Sequence, residues 1–147
     1  MKSIWLKIIT AILIIMVIII LVVENIAKKQ KNEKKIAYYN KQYEYCLNKE
    51  IYGSEVATLI NKAIEQNEKN QIAKDDKGYY IENETDSIKI ELKMITVDET
   101  YPMELIYKNN IKDFVKNFNI ILFKGTNIEY HKKTGKIKKI TLEQIEK

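Results

Sequence analysis

Residues 8–23 read IITAILIIMVIIILVV, sixteen residues without a charge, and the layout of the whole chain follows from them. With Ile4, Trp5 and Leu6 ahead of it, the apolar stretch reaches from residue 4 to residue 23. As a helix it is about 30 Å long, the thickness of a bilayer's hydrocarbon layer. Fourteen of the sixteen residues are Ile, Leu, Val or Met. At roughly −0.3 to −0.6 kcal/mol each, they favour insertion by about 6 kcal/mol. Lys7 lies near the end of the span, where its stem can snorkel to the headgroups, and Trp5 stands where an interfacial aromatic is expected. On the far side Lys28, Lys29 and Lys31 can meet anionic headgroups, at about 1 kcal/mol per lysine close to the surface. The expectation is one transmembrane helix and a single-pass protein of the cell membrane.

The same run could serve as a cleaved signal peptide, but it exceeds the usual apolar length of about 7–15 residues. Downstream, V-E-N-I-A-K offers no small-x-small cleavage site, because Asn25 stands two positions before Ala27. An uncleaved signal anchor over residues 1–27 is therefore expected. Orientation divides the arguments. Five lysines at 28, 29, 31, 34 and 35 would hold the following domain in the cytoplasm, whereas a short lysine-bearing tail before an apolar run is the layout of an anchor that exports it. The reading adopted is extracytoplasmic.

The chain has 147 residues and a formal charge of +5, and its 25 basic residues are all lysine. Lysine lacks the bidentate fork that reads guanine edges and clamps phosphates, so a nucleic-acid partner is not expected and a membrane surface suits the charge better. What remains after residue 27 suffices for one small domain. Cys46 is the only cysteine, so no disulfide forms within the chain. It is expected as a buried small hydrophobe. The sole histidine, His131, is expected as a surface turn residue, and alone it assembles neither a catalytic triad nor a two-histidine metal set. The four glycines make no phosphate-cradling loop and no dinucleotide fingerprint, and Asp75 and Asp76 lack calcium-loop spacing. No cofactor, no metal and no enzymatic activity are expected.

Downstream of the membrane run, Ile36, Tyr39, Tyr43, Leu47 and Ile51 recur at steps of three or four. One helix is thus predicted to leave the membrane and continue to about Asn48, with residues 28–50 as a helical stalk. Gly53 ends it and Ser54 is placed to cap a second helix. There Val56, Leu59, Ile60, Ala63 and Ile64 follow the amphipathic template to about Gln66. Asp75-Asp76-Lys77-Gly78 reads as a turn before a short strand at residues 79–82, and Ile88, Ile90, Leu92 and Met94 alternate with charged residues as a half-buried strand. Pro102 suits the first position of a helical stretch containing Met103, Ile106, Ile111, Phe114, Val115 and Phe118. A long strand bent near Gly125 follows over residues 120–131. Its partner covers residues 136–142, where Ile137 falls on the wrong face for Ile140 and Leu142. The fold class is α+β: a transmembrane helix continuing into a soluble helix, a second amphipathic helix, then a small antiparallel sheet with a helical insert, with residues 51–147 as one small α+β domain.

Half of the ten tyrosines, Tyr38, Tyr39, Tyr43, Tyr45 and Tyr52, fall within fifteen residues. On a helix 39 and 43 align while 38 and 45 lie on another face. One account puts all of them in the core. The other makes Tyr38, Tyr39, Tyr43 and Tyr45 an interaction face for a protein partner or a second copy.

The blocks Y-G-S-E-V-A-T-L-I-N-K-A, D-D-K-G-Y-Y-I and I-E-Y-H-K-K-T-G-K-I together resemble small uncharacterised single-pass membrane proteins of low-GC Gram-positive bacteria. The resemblance implies a bacterial membrane location and carries no activity. The layout is also similar to that of pilins, in which an apolar N-terminal helix runs into a soluble helix backed by an antiparallel sheet. The prepilin cleavage signature is missing, since no glycine precedes Gly53 and the first carboxylate, Glu24, ends the apolar run. Three functions stay open: a membrane-anchored interaction or structural protein, a pilin-like subunit of an envelope assembly, and a small carboxylate-dependent envelope enzyme.

Overall fold

The structure is a computed structural model that describes residues 2–95 and 97–146. It divides into two compact units, residues 1–37 and residues 38–147. The elements in order are α1 (Lys2–Asn48), β1 (Ile51–Tyr52), α2 (Gly53–Lys69), β2 (Lys89–Met94), β3 (Val97–Pro102), α3 (Met103–Lys108), α4 (Ile111–Phe118), β4 (Leu122–Tyr130) and β5 (Ile137–Gln144). The fold is α+β, with one long N-terminal helix, further helices and a small five-stranded sheet.

The first unit consists entirely of α1 residues where it is described, and every residue from 3 to 35 is exposed. Its helix is long and apolar enough to cross a membrane, and none of the apolar window is buried against protein. Ile, Leu and Val point outward on all sides of it, which in water would be strongly unfavourable. Thr10, the one hydroxyl in the apolar run, donates to the Leu6 carbonyl at 2.5 Å, so its O–H is satisfied within the helix.

In the second unit the sheet order is β1-β4-β5-β2-β3. The expected antiparallel sheet is in fact mixed: β2 and β5 run parallel, and the other pairings are antiparallel. Two strands escape the alternation rule, β1 because it has two residues and β3 because its sequence, VDETYP, does not alternate. The expected strand at residues 79–82 is reduced to a single bridge between Lys74 and Tyr80. Its backbone donors go elsewhere, the Tyr80 N–H to the Glu104 carboxylate and the Ile81 N–H to the Ala73 carbonyl.

Ile137 joins the core despite its apparent phase. Register shifts fall between Gly125 and Asn127 and between Glu129 and Tyr130, so Ile128 pairs with Ile140 while Tyr130 pairs with Ile137. The second bulge adds one residue to β5 and returns Ile137 to the face of Ile140 and Leu142. That face, completed by Ile90, Leu92 and Phe123, packs with Val56, Leu59, Ile60 and Ala63 of α2, Met103 of α3, and Tyr43 and Cys46 of α1. The opposite face carries a lattice of ion pairs. Lys93 meets Glu143 at 2.9 Å, Lys139 meets Glu91 at 2.8 Å, and Glu82 meets Lys138 at 2.9 Å.

Two buried asparagines fasten helix to strand. Asn67 of α2 donates to the Ile88 carbonyl at 2.8 Å and accepts from the Ile88 N–H at 2.9 Å. Asn40 of α1 repeats the device, donating to the Gly135 carbonyl at 2.8 Å and accepting from the Ile137 N–H at 3.0 Å. The start of α2 differs from expectation in its cap. Tyr52 occupies the N-cap position, and Glu55, not Ser54, closes the turn by accepting the Tyr52 N–H at 3.0 Å. Pro102 likewise sits at the N-cap of α3, one residue ahead of the position expected for it.

Candidate functional site

The interface residues read from the sequence lie on α1. Trp5, Lys7, Lys28, Lys29 and Lys31 are all exposed, and Trp5 and Lys28 are about 35 Å apart along a helix rising 1.5 Å per residue. That spacing sets an aromatic ring and a lysine cluster at the two ends of a bilayer-length cylinder.

The tyrosines divide between core and surface. Tyr43 is buried, and Tyr39 packs on it with ring centroids 5.5 Å apart. Burial pushes the Tyr39 and Tyr45 phenols up to about 12 and raises Tyr43 further. Tyr45 is half-buried beneath the Lys49 ammonium, 5.1 Å from its ring centroid. Only Tyr38 stands free, at 72 % exposure, so the four rings do not share one open face. Cys46 is buried beside them, and burial pushes its thiol up to about 11, which suits packing and not nucleophilic chemistry.

His131 is buried, not at the surface as expected. Its Nε2 lies 2.7 Å from the Ser87 carbonyl, while its backbone N–H donates to the Lys136 carbonyl. The reason is the loop before β2, where Asn83 Oδ1 accepts the N–H groups of Thr85, Asp86 and Ser87 and folds that segment over the β4–β5 turn. Lys136 pairs with Asp86, and Lys133 pairs with Glu84, across the same junction. Asp75 serves the expected turn, its Oδ1 accepting from Lys77 and Tyr79 at 2.9 Å, with Gly78 at φ +85° completing it.

Beside that turn lies a cavity of about 460 Å³, which sequence reasoning did not find. Its wall includes Glu104, Tyr80, Tyr107, Lys74, Lys77 and Lys108. Glu104 is buried and accepts the Tyr80 N–H at 3.1 Å, and it makes no ion pair with any described residue. The Lys74 ammonium rests 4.5 Å from the centre of the Tyr80 ring and 3.9 Å from Glu68. A second, apolar groove of about 430 Å³ is lined by Leu92, Met94, Tyr101, Ile106, Phe114 and Phe118, with the last two rings stacked at 5.0 Å. Among the described residues no group of three or more His, Cys, Asp or Glu side chains is placed to hold a metal ion.

Comparison with protein-family models, with curated proteins and with solved structures finds no match to this chain.

Proposed function

We propose that the chain is a single-pass membrane protein whose α+β unit works as an interaction module at the lipid boundary, on the extracytoplasmic side. One observation carries the reading: residues 8–23 of α1 are apolar on every face and none of them is buried against protein, an arrangement favourable only in hydrocarbon. Lys28, Lys29 and Lys31 support an additional hold on anionic headgroups, and Tyr38 with the two grooves of the folded unit supplies surfaces for a protein or small-molecule partner. The role is binding, not catalysis.

Alkaline carbonate washing of native membranes tests the anchor. The intact chain, with Trp5 still present by mass, is expected in the pellet, and a soluble product beginning beyond Val23 would refute it. Ile14→Lys with Ile18→Lys adds an insertion cost of about 6 kcal/mol and is expected to move the protein to the soluble fraction. Protease added to intact protoplasts should digest the folded unit, and its survival would place that unit inside. Crosslinking in the native membrane is expected to trap a different protein, whereas ladders of the chain alone would favour a self-assembling subunit.

A further inference from the structure

The cavity beside Glu104 combines features that the anchor does not require. A carboxylate has room for about four hydrogen bonds, so one that accepts a single protein N–H keeps acceptor positions for a ligand or water. Glu104 is 93 % buried by its 7 % exposure and has the Tyr80 N–H as its hydrogen-bond donor among the described residues. Glu104 lines the cavity. Around it the lysines contribute the opposite sign. Lys74 is engaged by the Tyr80 ring and Glu68, but Lys77 and Lys108 are exposed and have no carboxylate within 4 Å among the described residues. Tyr107, 46 % exposed, adds an aromatic ring to the same wall.

A ligand matched to these groups needs a cation for the buried carboxylate, carboxylates for Lys77 and Lys108, and a short carbon stem between them to lie on the tyrosine. A sugar or a simple anion offers no cation and leaves Glu104 as it was. The volume of about 460 Å³ falls in the range of about 300–1,000 Å³ typical of small-molecule sites. We infer that this cavity binds the free ammonium end of an acidic amino acid or acidic peptide, with the ammonium on Glu104 and the carboxylates on Lys77 and Lys108. The site lies wholly within the second unit, and the inference does not depend on how or where the chain is anchored.

The experiment is saturation-transfer NMR on the full chain in lipid nanodiscs. The probes are the dipeptide Glu-Glu, free L-glutamate, N-acetyl-Glu-Glu and glucuronate. Glu-Glu or glutamate is expected to receive saturation, and blocking the ammonium with acetyl is expected to weaken binding at least about tenfold, the scale of losing one buried charge pair. Preference for Glu-Glu would identify a peptide end, and equal binding of glutamate a free amino acid. Glu104→Gln can still accept the Tyr80 N–H, so it should fold while losing the distinction between Glu-Glu and its acetylated form. Lys77→Ala with Lys108→Ala changes only exposed side chains and should weaken Glu-Glu binding by a similar factor. Equal binding of the free and acetylated dipeptides to the unaltered chain would overturn the inference. So would glucuronate binding as well as Glu-Glu, no saturation of either amino compound, or an unchanged affinity in the double lysine variant.

Discussion

Asn67→Ala should remove a large part of the stability of the folded unit. The Asn67 side chain is fully buried and satisfies both backbone groups of Ile88, at 2.8 and 2.9 Å. Alanine abandons both at once, and Ile88, itself fully buried, has no water to replace them. At about 1–3 kcal/mol for each buried group left unsatisfied, the loss comes to about 2–6 kcal/mol. A domain of this size is typically stable by about 5–15 kcal/mol, so a large fraction of the total would go. The assay is urea unfolding of the full chain in nanodiscs, followed by near-ultraviolet tyrosine dichroism. With a slope of about 1.5–2 kcal/mol per molar, the midpoint should fall by about 1–4 M. Asn61→Ala, exposed on the same helix, is the control and should stay within about 0.5 kcal/mol. A midpoint shift below about 0.5 M for Asn67→Ala would show that the two hydrogen bonds do not hold strand to helix.

Gly53→Ala should destabilise by at least about 1–3 kcal/mol, because an added Cβ would stand 2.0 Å from the Phe118 carbonyl oxygen and force α2 and α4 apart; the same urea assay measures it. In alkali, Tyr39, Tyr43 and Tyr45 hold phenol pKa values raised by burial, so the stability they contribute is complete below about pH 10 and is lost as pH rises through their folded values. Tyrosinate absorbance at 295 nm should therefore lag for these rings and appear together with unfolding; full titration of all ten tyrosines in the folded protein would contradict it. In acid the sign reverses: Lys136 beside Asp86, Lys138 beside Glu82 and the Tyr52 N–H on Glu55 hold those carboxyls below their ordinary range. Their contribution is present above about pH 4.5 and lost as pH falls through the lowered values, so the urea midpoint should stay level from about pH 6 to 5 and then decline. Cys46 should resist maleimide in the folded protein and react at once in urea, as a thiol that is both buried and pushed up to about 11.

The parts of this fold written in local periodicity were legible. The uncharged run at residues 8–23, the stripe from Val56 to Ile64 and the alternation of Ile88 to Met94 each appear as α1, α2 and β2, at nearly the expected limits. What was not legible depends on partners distant in the chain. Ile137 looked out of phase because the bulge that rephases it arises only from pairing with β4. Nothing in residues 89–94 or 137–144 tells that these two strands run parallel. His131 read as a surface residue because the covering loop comes from residues 83–87. Glu104 drew no notice for the same reason. Ile64, Lys74, Lys77 and Lys108 reach its cavity from three separate stretches, and no spacing rule joins them. The tyrosine cluster was seen but not apportioned, since its division between core and surface depends on how α1 meets the sheet.

The position of β5 carries a consequence for how the molecule comes into being. It is the final strand in chain order, yet it lies in the middle of the sheet, between β4 and β2. As the polypeptide is synthesised, β2 with β3 and β4 with β1 can each form only a narrow ribbon, and each ribbon leaves one edge of backbone N–H and C=O groups unpaired until residues 137–144 arrive. Until then, the nascent body is a pair of sticky halves held beside whatever surface the leading helix has already found. The arrival of residues 137–144, more than any earlier step, is when this sheet closes.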